Sequence, residues 1–276
     1  MDRIRLIASD MDATLLNEQS QLPADFEETI HALAELGIRF APASGRPLYT
    51  LEAMFPTLQN ELVFIGDNGG AIRWKGQNLF TSEMSPEGWR ALNRLTREQG
   101  DIAVLCGLES AYVERPFAVH DAVLRHFYTK IEYVDRLEDV TAPADKFTIY
   151  LPQHNAQQAY DTVYASQRSI YSVAVAGECW VDIMNPGVHK GVALQTLGQL
   201  WGLPSESIMA FGDTYNDAEM LQTVRYGFLM ENGSEPLRQK VPFLAPSHRE
   251  AGVMQVLHRV LAQNGCVCPE DFVPAH

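Results

Sequence analysis

Short apolar runs alternate with amphipathic segments over the first sixty-five residues of the chain. Apolar runs at residues 5–9, 38–43 and 62–65 have the length and composition of buried strands. Between them, residues 23–36 and 48–54 carry apolar side chains at helical spacing. The order strand, helix, strand, helix, strand predicts right-handed crossover connections and a parallel sheet.

The same alternation returns in the last third of the chain. Apolar spacing predicts helices over residues 189–201, 216–224 and 250–263. Apolar runs predict strands at residues 207–211 and 228–230. The two ends of the chain therefore have the pattern of a single α/β layer structure interrupted by the middle of the sequence.

The middle of the chain has a different pattern. Its helical stretches, near residues 86–99 and 155–167, lie between β-rich runs separated by glycine-containing turns, which is typical of antiparallel hairpins. We therefore predict an α/β protein with a Rossmann-like parallel-sheet core formed by residues 1–83 and 183–276. An inserted α+β cap is predicted over residues 84–182, with substrate selection as its expected role.

Composition and charge narrow the class of protein. The 276 residues are 46% hydrophobic and 20% charged, which are ordinary globular values that exclude wholesale disorder. A net charge of −14 argues against nucleic-acid and anionic-membrane binding, but not against a small anionic substrate. No apolar run reaches the ~20 residues of a membrane helix, and the N-terminus lacks a signal-peptide core. The four cysteines lack the spacing of a zinc site, so a cytoplasmic protein with reduced thiols is expected.

Polar side chains are concentrated where the predicted parallel strands end. The first strand is followed by Asp10 and Asp12, and the second by Ser44 and Arg46. Ligands of open α/β sheets bind beyond the carboxyl ends of the strands. Two carboxylates this close repel each other unless a cation lies between them, and Mg²⁺ prefers such oxygen ligands.

Two further polar segments follow in the last third of the chain. Lys190 opens a predicted helix, where the helix N-terminus attracts anions. The strand at residues 207–211 is followed by Asp213, Asn216 and Asp217. Each segment taken alone is also compatible with a turn or a helix cap. Their joint position at the ends of predicted strands indicates one site.

These segments resemble the motifs of the haloacid dehalogenase superfamily, and specifically its Cof-type phosphatases with a type IIB cap. Residues 10–16 match Asp-x-Asp-Gly-Thr-Leu-Leu, except that Ala13 stands where the family has glycine. Ser44 and Lys190 match the second and third motifs, and residues 212–217 match the fourth, Gly-Asp-x-x-Asn-Asp. The resemblance covers the predicted core and the position of the cap.

The resemblance implies a role for each of these residues. Asp10 is the expected nucleophile, and Asp12 the general acid that protonates the leaving group and then activates water. Ser44 and Lys190 are expected to bind the phosphoryl oxygens. The implied Mg²⁺ ligands are Asp10, Asp12 through its main-chain carbonyl, Asp213 and Asp217. The implied substrate-binding or orienting residues are Arg46, Asn68 and Asn216.

The expected function is Mg²⁺-dependent hydrolysis of a small phosphorylated metabolite, such as a sugar phosphate, through an aspartyl-phosphate intermediate. A phosphomutase and a non-catalytic phosphate-ligand binding or sensor protein are the alternatives. The expected partner is the metabolite alone, without nucleic acid or membrane, and the sequence does not predict the oligomeric state. Side chains of the predicted cap that are candidates for substrate selection are Tyr112, His120, His126, Tyr171, Trp180 and Asp182.

Ala13 leaves one structural question open. If the turn requires a positive φ at this position, alanine strains the backbone by about 1 kcal/mol or more. If φ is negative, the methyl group only crowds the site.

Overall fold

The structure, a computed structural model, describes residues 1–276 as seventeen strands and nine α-helices joined by turns and short 3₁₀ segments. The strands are β1 Asp2–Arg3, β2 Leu6–Asp10, β3 Arg39–Ala43, β4 Val63–Gly66, β5 Ala71–Trp74, β6 Gln77–Thr81, β7 Ile102–Gly107, β8 Ala111–Glu114, β9 Ile131–Val134, β10 Ala144–Tyr150, β11 Ser172–Val175, β12 Trp180–Met184, β13 Ile208–Gly212, β14 Tyr226–Met230, β15 Phe243–Ala245, β16 Cys266–Val267 and β17 Val273–Pro274. The helices are α1 Phe26–Glu35, α2 Leu48–Ala53, α3 Pro86–Gln99, α4 Asp121–Phe127, α5 Ala156–Thr162, α6 Lys190–Trp201, α7 Ala218–Thr223, α8 Glu235–Arg238 and α9 Gly252–Ala262.

The chain divides into two compact units. The first comprises residues 1–45, 55–79 and 189–276, and the second comprises residues 46–54 and 80–188. The sequence prediction differs in assigning the segment 46–54 to the core.

Two contacts explain why the segment 46–54 belongs to the second unit. Tyr49 of α2 lies in an apolar cluster with Leu124 and Tyr128. The Thr50 hydroxyl also accepts a hydrogen bond from the Thr129 amide at 3.0 Å. Both contacts join residues far apart in the sequence, so local patterning does not predict them.

The first unit is built on a nine-stranded sheet in the order β17-β15-β14-β13-β2-β3-β4-β5-β6. The six strands from β15 to β4 are mutually parallel, which confirms the predicted fold class, while β5 and β17 are antiparallel to their neighbours β4 and β15. Every residue of β2 is buried, as expected for a central strand covered on both faces. Parallel pairing therefore brings the carboxyl ends of β2, β3, β4 and β13 to one edge.

The second unit contains a six-stranded sheet in the order β11-β12-β10-β7-β8-β9. The predicted hairpins are present, because β7 pairs with β8 and β11 with β12 in antiparallel register. The outer pair β8–β9 is parallel, which the sequence did not predict. Helix α3 begins at its Ser85 cap and ends at Gly100, which has the left-handed conformation that stops helices.

Two further observations bear on the sequence predictions. No helix in the structure combines the length and apolar character needed to cross a membrane. All four cysteines are free thiols, and Cys106 is the buried one.

Candidate active site

Three acidic side chains from two sheet strands and the following turn meet at the predicted edge. Asp10 is the last residue of β2, and Asp213 and Asp217 follow β13. One carboxylate oxygen from each lies within 4.8 Å of the others, and all three side chains are buried. The sequence prediction that these residues share a site agrees with this geometry.

Lys190 lies between two of these carboxylates. Its side chain is fully buried, and its ammonium donates a short hydrogen bond to Oδ1 of Asp10 and one of 2.7 Å to Oδ1 of Asp217. Helix α6 positions the side chain because it begins at this residue, with the His189 ring accepting the Val192 amide as a cap.

A glycine allows the start of α6 to approach the loop after β4. A Cβ placed on Gly69 would lie 2.5 Å from the His189 carbonyl oxygen, and Gly69 has a φ of +96°. Only glycine combines this conformation with this close approach. The turn after β4 therefore supports the segment that carries Lys190.

Asp217 is held by both of its carboxylate oxygens. While Oδ1 accepts from Lys190, Oδ2 accepts the backbone amides of Asp213 at 3.0 Å and Thr214 at 3.3 Å. Gly212 makes this fold-back possible, because a Cβ there would lie 2.4 Å from Cβ of Asp217. A larger residue at the glycine position of the Gly-Asp-x-x-Asn-Asp segment would therefore clash with Asp217.

Burial and crowding shift the protonation of this cluster. Burial raises the pKa of Asp10 to about 8, with Lys190 opposing the shift and Asp217 adding to it. Burial, aided by Asp217, raises the pKa of Asp213 to about 6. Burial alone would lower the pKa of Lys190, but Asp10 and Asp217 outweigh it and raise that pKa above its ordinary value. The cluster therefore favours a further positive charge beside Asp10 and Asp213.

The turn that follows Asp10 answers the question about Ala13. Ala13 has φ 59° and ψ 13°, so the position requires the left-handed conformation and the alanine is strained. Asp12, immediately before it, has an exposed side chain. The Ala13 carbonyl accepts a 2.9 Å hydrogen bond from the side-chain amide of Asn232.

Ser44 and Asn68 lie at the same edge of the first unit. Ser44 follows β3 and is buried, and its carbonyl accepts the Asn68 amide at 2.9 Å. Asn68 adopts a left-handed φ of 54°, which asparagine tolerates better than most residues. Ser44 is therefore at the end of the strand adjacent to β2, and Asn68 follows the next strand of the sheet, β4.

The other two predicted substrate-contacting residues have different surroundings. Asn216 is exposed, and its side-chain oxygen accepts the Thr214 hydroxyl. Arg46 belongs to the second unit, where its guanidinium donates to Sδ of Met54 at 3.6 Å. The role of each stays a prediction.

Asn232 lies beside the site through its hydrogen bond to Ala13 and was not among the residues predicted from the sequence. It follows β14, another parallel strand of the first unit, at the strand's carboxyl end. The available signal was the polar Glu231-Asn232-Gly233 segment directly after an apolar run.

Two of the six candidate residues of the predicted cap are buried, and the other four are not. Trp180 is buried and packs against Tyr150, with ring centroids 4.6 Å apart and ring planes tilted by 33°. Asp182 is buried and accepts the Thr148 hydroxyl at 2.7 Å, with the Lys146 ammonium 3.7 Å away. The remaining four candidates are partly or fully exposed: Tyr112, His120, His126 and Tyr171.

The chain is similar to known proteins in both sequence and structure. The chain is 32% identical over 262 residues to the 5-amino-6-(5-phospho-D-ribitylamino)uracil phosphatase YbjI of Escherichia coli, covering 94% of this chain and 96% of that one. It is 30% identical to the HMP-PP phosphatase of Cronobacter sakazakii, covering 87% and 89%. The solved structure of SMU.1108c from Streptococcus mutans superposes with a TM-score of 0.82 at 29% identity, covering 94% and 99%.

The family model for haloacid dehalogenase-like hydrolases matches residues 7–257. This range includes Asp10 at the end of β2, Lys190 at the start of α6, and the turn after β13. The match extends over most of the chain, and the chain belongs to the haloacid dehalogenase-like hydrolases.

Proposed function

We propose that this protein is a phosphatase that hydrolyses a small phosphorylated metabolite by transferring its phosphoryl group first to Asp10 and then to water. The observation that carries the proposal is a buried carboxylate, Asp10, that accepts a hydrogen bond from the Lys190 ammonium and has carboxylate oxygens of Asp213 and Asp217 within 4.8 Å. Family membership and the two relatives named as phosphatases favour this over a phosphomutase or a sensor.

The donor set fits a magnesium ion. Asp10, Asp213 and Asp217 supply only hard oxygen atoms. Burial raises the pKa values of Asp10 and Asp213, and the neighbouring Asp217 adds to both shifts. Phosphatases of this family generally use Mg²⁺. We assign Asp10 and Asp213 as direct ligands, joined by the main-chain carbonyl of Asp12. When bound, the ion would shield the phosphate from the attacking carboxylate and stabilise the transferring phosphoryl group.

Asp217 has a different role in this proposal. Both of its oxygens already accept hydrogen bonds, from Lys190 and from two backbone amides. It therefore acts first as the anchor of Lys190, and it would help to hold the ion as a further ligand or through water.

Asp10 and Asp12 both take part in each of the two chemical steps. An oxygen of Asp10 attacks phosphorus, and the bond to the leaving oxygen breaks as Asp12 donates its proton to that oxygen. Asp12, now ionised, then takes a proton from water as the water oxygen attacks phosphorus. The bond between phosphorus and Asp10 breaks in this second step, which releases inorganic phosphate and regenerates both carboxyl groups.

The remaining residues bind the substrate. Lys190 neutralises negative charge around Asp10 and contacts a phosphoryl oxygen, and Ser44 donates its hydroxyl to another. Arg46, Asn68 and Asn216 contact or orient the substrate in this assignment.

Substrate selection is assigned to the second unit, with boundaries near those predicted for the cap. Its sheet carries a buried polar cluster of Lys146, Thr148 and Asp182. A buried ion pair adds little net stability compared with apolar packing, so a functional reason for it is favoured. These three residues are the first to vary in specificity tests.

A substrate panel tests the proposal. Purified protein is assayed for phosphate release with Mg²⁺ on an aryl phosphate, several sugar phosphates, 5-amino-6-(5-phospho-D-ribitylamino)uracil and HMP-PP, with Asp10→Asn as the control. Turnover by the wild type and none by the variant is the expected result. Equal phosphate release by both proteins, or none from any compound, would overturn the proposal.

A further inference from the structure

One surface loop contacts both segments that carry the proposed acid–base and metal-binding groups. This loop, residues 231–234, follows β14 and is called the β14 loop. The second residue of the loop is Asn232, and its side-chain nitrogen donates a hydrogen bond to the Ala13 carbonyl at 2.9 Å. The side-chain oxygen accepts the backbone amide of His248 at 3.0 Å. Both polar atoms of the side-chain amide therefore have a partner, and these partners determine which atom is the donor nitrogen and which is the acceptor oxygen.

The same loop also contacts the segment after β13. The Ser234 amide donates to the Asp213 carbonyl at 2.7 Å. Gly233 allows this approach, because a Cβ there would lie 2.8 Å from that carbonyl oxygen. The β14 loop thus ties the backbone of Asp213 to the backbone beside Asp12.

The hydrogen bond from Asn232 acts on a strained residue. Ala13 is left-handed, with φ 59°, a conformation that alanine avoids in the absence of tertiary contacts. Asp12 precedes it directly, so a change in the Ala13 backbone redirects the Asp12 side chain. Ala13 also stands where the motif that residues 10–16 resemble has a glycine.

We propose that Asn232 is a positioning residue, whose side-chain amide holds the left-handed turn at Ala13 and thereby aims Asp12 at the leaving oxygen of the substrate. The inference rests on the proposed role of Asp12 as general acid. It predicts a dependence on the leaving group, since a general acid matters most when the departing oxygen is strongly basic.

The test compares two substrates by kcat/KM, which reports the step in which the leaving group departs. An alkyl phosphate needs protonation of its leaving oxygen, whereas 2,4-dinitrophenyl phosphate needs little. For Asn232→Ala we expect a loss of about ten-fold on the alkyl phosphate and less than about two-fold on the dinitrophenyl ester. Asn232→Asp keeps the size and the acceptor for His248 but loses the donor, so it should show the same asymmetry.

Arg249→Ala is the matched control. Nε of Arg249 lies 2.8 Å from Oε1 of Glu18, so this ion pair joins the turn that contains His248 to the segment that follows Ala13. We expect it to change kcat/KM on both substrates equally, by less than about two-fold, because both side chains are largely exposed. Melting temperatures of all variants establish that the folded protein is being compared.

The outcomes separate the two levels of the proposal. If Asp12→Asn shows the leaving-group asymmetry and both folded Asn232 variants do not, the positioning role is overturned while the phosphatase mechanism stands. If Asp12→Asn itself loses activity equally on both substrates, the general-acid assignment fails and the inference with it. Asymmetry in Asp12→Asn and both Asn232 variants, absent from Arg249→Ala, supports the positioning role.

Discussion

The ammonium of Lys190 lies 2.7 Å from the Asp217 carboxylate, and neither side chain is exposed to solvent. The same ammonium contacts Asp10, so one cation is shared by two buried carboxylates. Such a pair gains little over apolar packing, but removing one partner leaves a buried charge without compensation. The arrangement therefore makes the stability of the site depend on Lys190.

Lys190→Met should abolish measurable turnover and destabilise the protein by about 3 kcal/mol, because the buried Asp217, and Asp10 when it is ionised, lose their shared cation. Thermal unfolding and phosphate release measure the two effects. Adding Asp217→Asn to this variant removes one of the two charges, so it should recover part of the melting temperature but no activity. A single variant as stable as the wild type would contradict this account of the buried charges.

Asp10→Asn should reduce turnover to less than about one-hundredth of the wild-type value, because an amide is not a competent nucleophile. The fold should persist, since the amide keeps the shape of the side chain and can still accept from Lys190. Steady-state assays and circular dichroism of the two proteins check both statements. Residual turnover of one-tenth would remove Asp10 from the nucleophilic role.

The stability of the metal-free protein should fall as pH rises. Folding raises the pKa of Asp10 from 3.8 to about 8, so between these values the folded state holds a proton that the unfolded state has released. Asp213, with a pKa raised to about 6, adds a fall over the lower part of this range. Melting temperatures in chelator at pH 5 to 8 measure the slope. The slope should be shallower in Asp10→Asn, and equal slopes would refute the assignment.

Ala13→Gly should be stabilising and should raise turnover by up to about five-fold. Glycine adopts the left-handed turn without strain, which is worth about 1 kcal/mol before the added entropy of the unfolded chain is subtracted. If the same free energy of about 1 kcal/mol is gained in the transition state, the rate rises about five-fold, which is the upper limit expected. Melting temperature and kcat of the variant are the measurements.

Ala251→Gly is the matched control for that change. Ala251 is the other alanine with a positive φ, 52°, and it precedes α9. Its replacement should raise the melting temperature for the same reason and leave turnover unchanged. A strong loss of turnover in Ala13→Gly alone would mean that the alanine methyl group shapes the site.

Mg²⁺ should be required for turnover and should raise the melting temperature of the wild type, because a ligand that binds only the folded state stabilises it. Asp213→Asn should lose both effects. Ca²⁺ should bind without supporting turnover, since it prefers more ligands at longer distances. Undiminished activity after exhaustive dialysis against chelator would contradict the metal assignment.

The sequence alone was sufficient for the parallel sheet and for the edge of it at which the candidate site residues lie. Buried central strands must be continuously apolar, so the runs leading to Asp10, Ser44 and Asp213 could be recognised without coordinates. Because parallel strands end at a common edge, the polar residues after each run had to lie close together.

Other features could not be predicted, because they depend on contacts between distant residues. The parallel β8–β9 pair joins segments whose local patterns are equally compatible with an antiparallel pair. The assignment of α2 to the second unit depends on Tyr49 and Thr50 meeting partners about eighty residues away in the sequence.

The conformation of Ala13 shows the same division at the scale of a single residue. Its position after the Asp-x-Asp segment was evident from the sequence, but alanine there is compatible with either sign of φ. The turn is held left-handed by the amide of Asn232, which is 219 residues away along the chain. Local sequence therefore determined which groups reach the site, and tertiary hydrogen bonding and packing decided how their backbone is oriented.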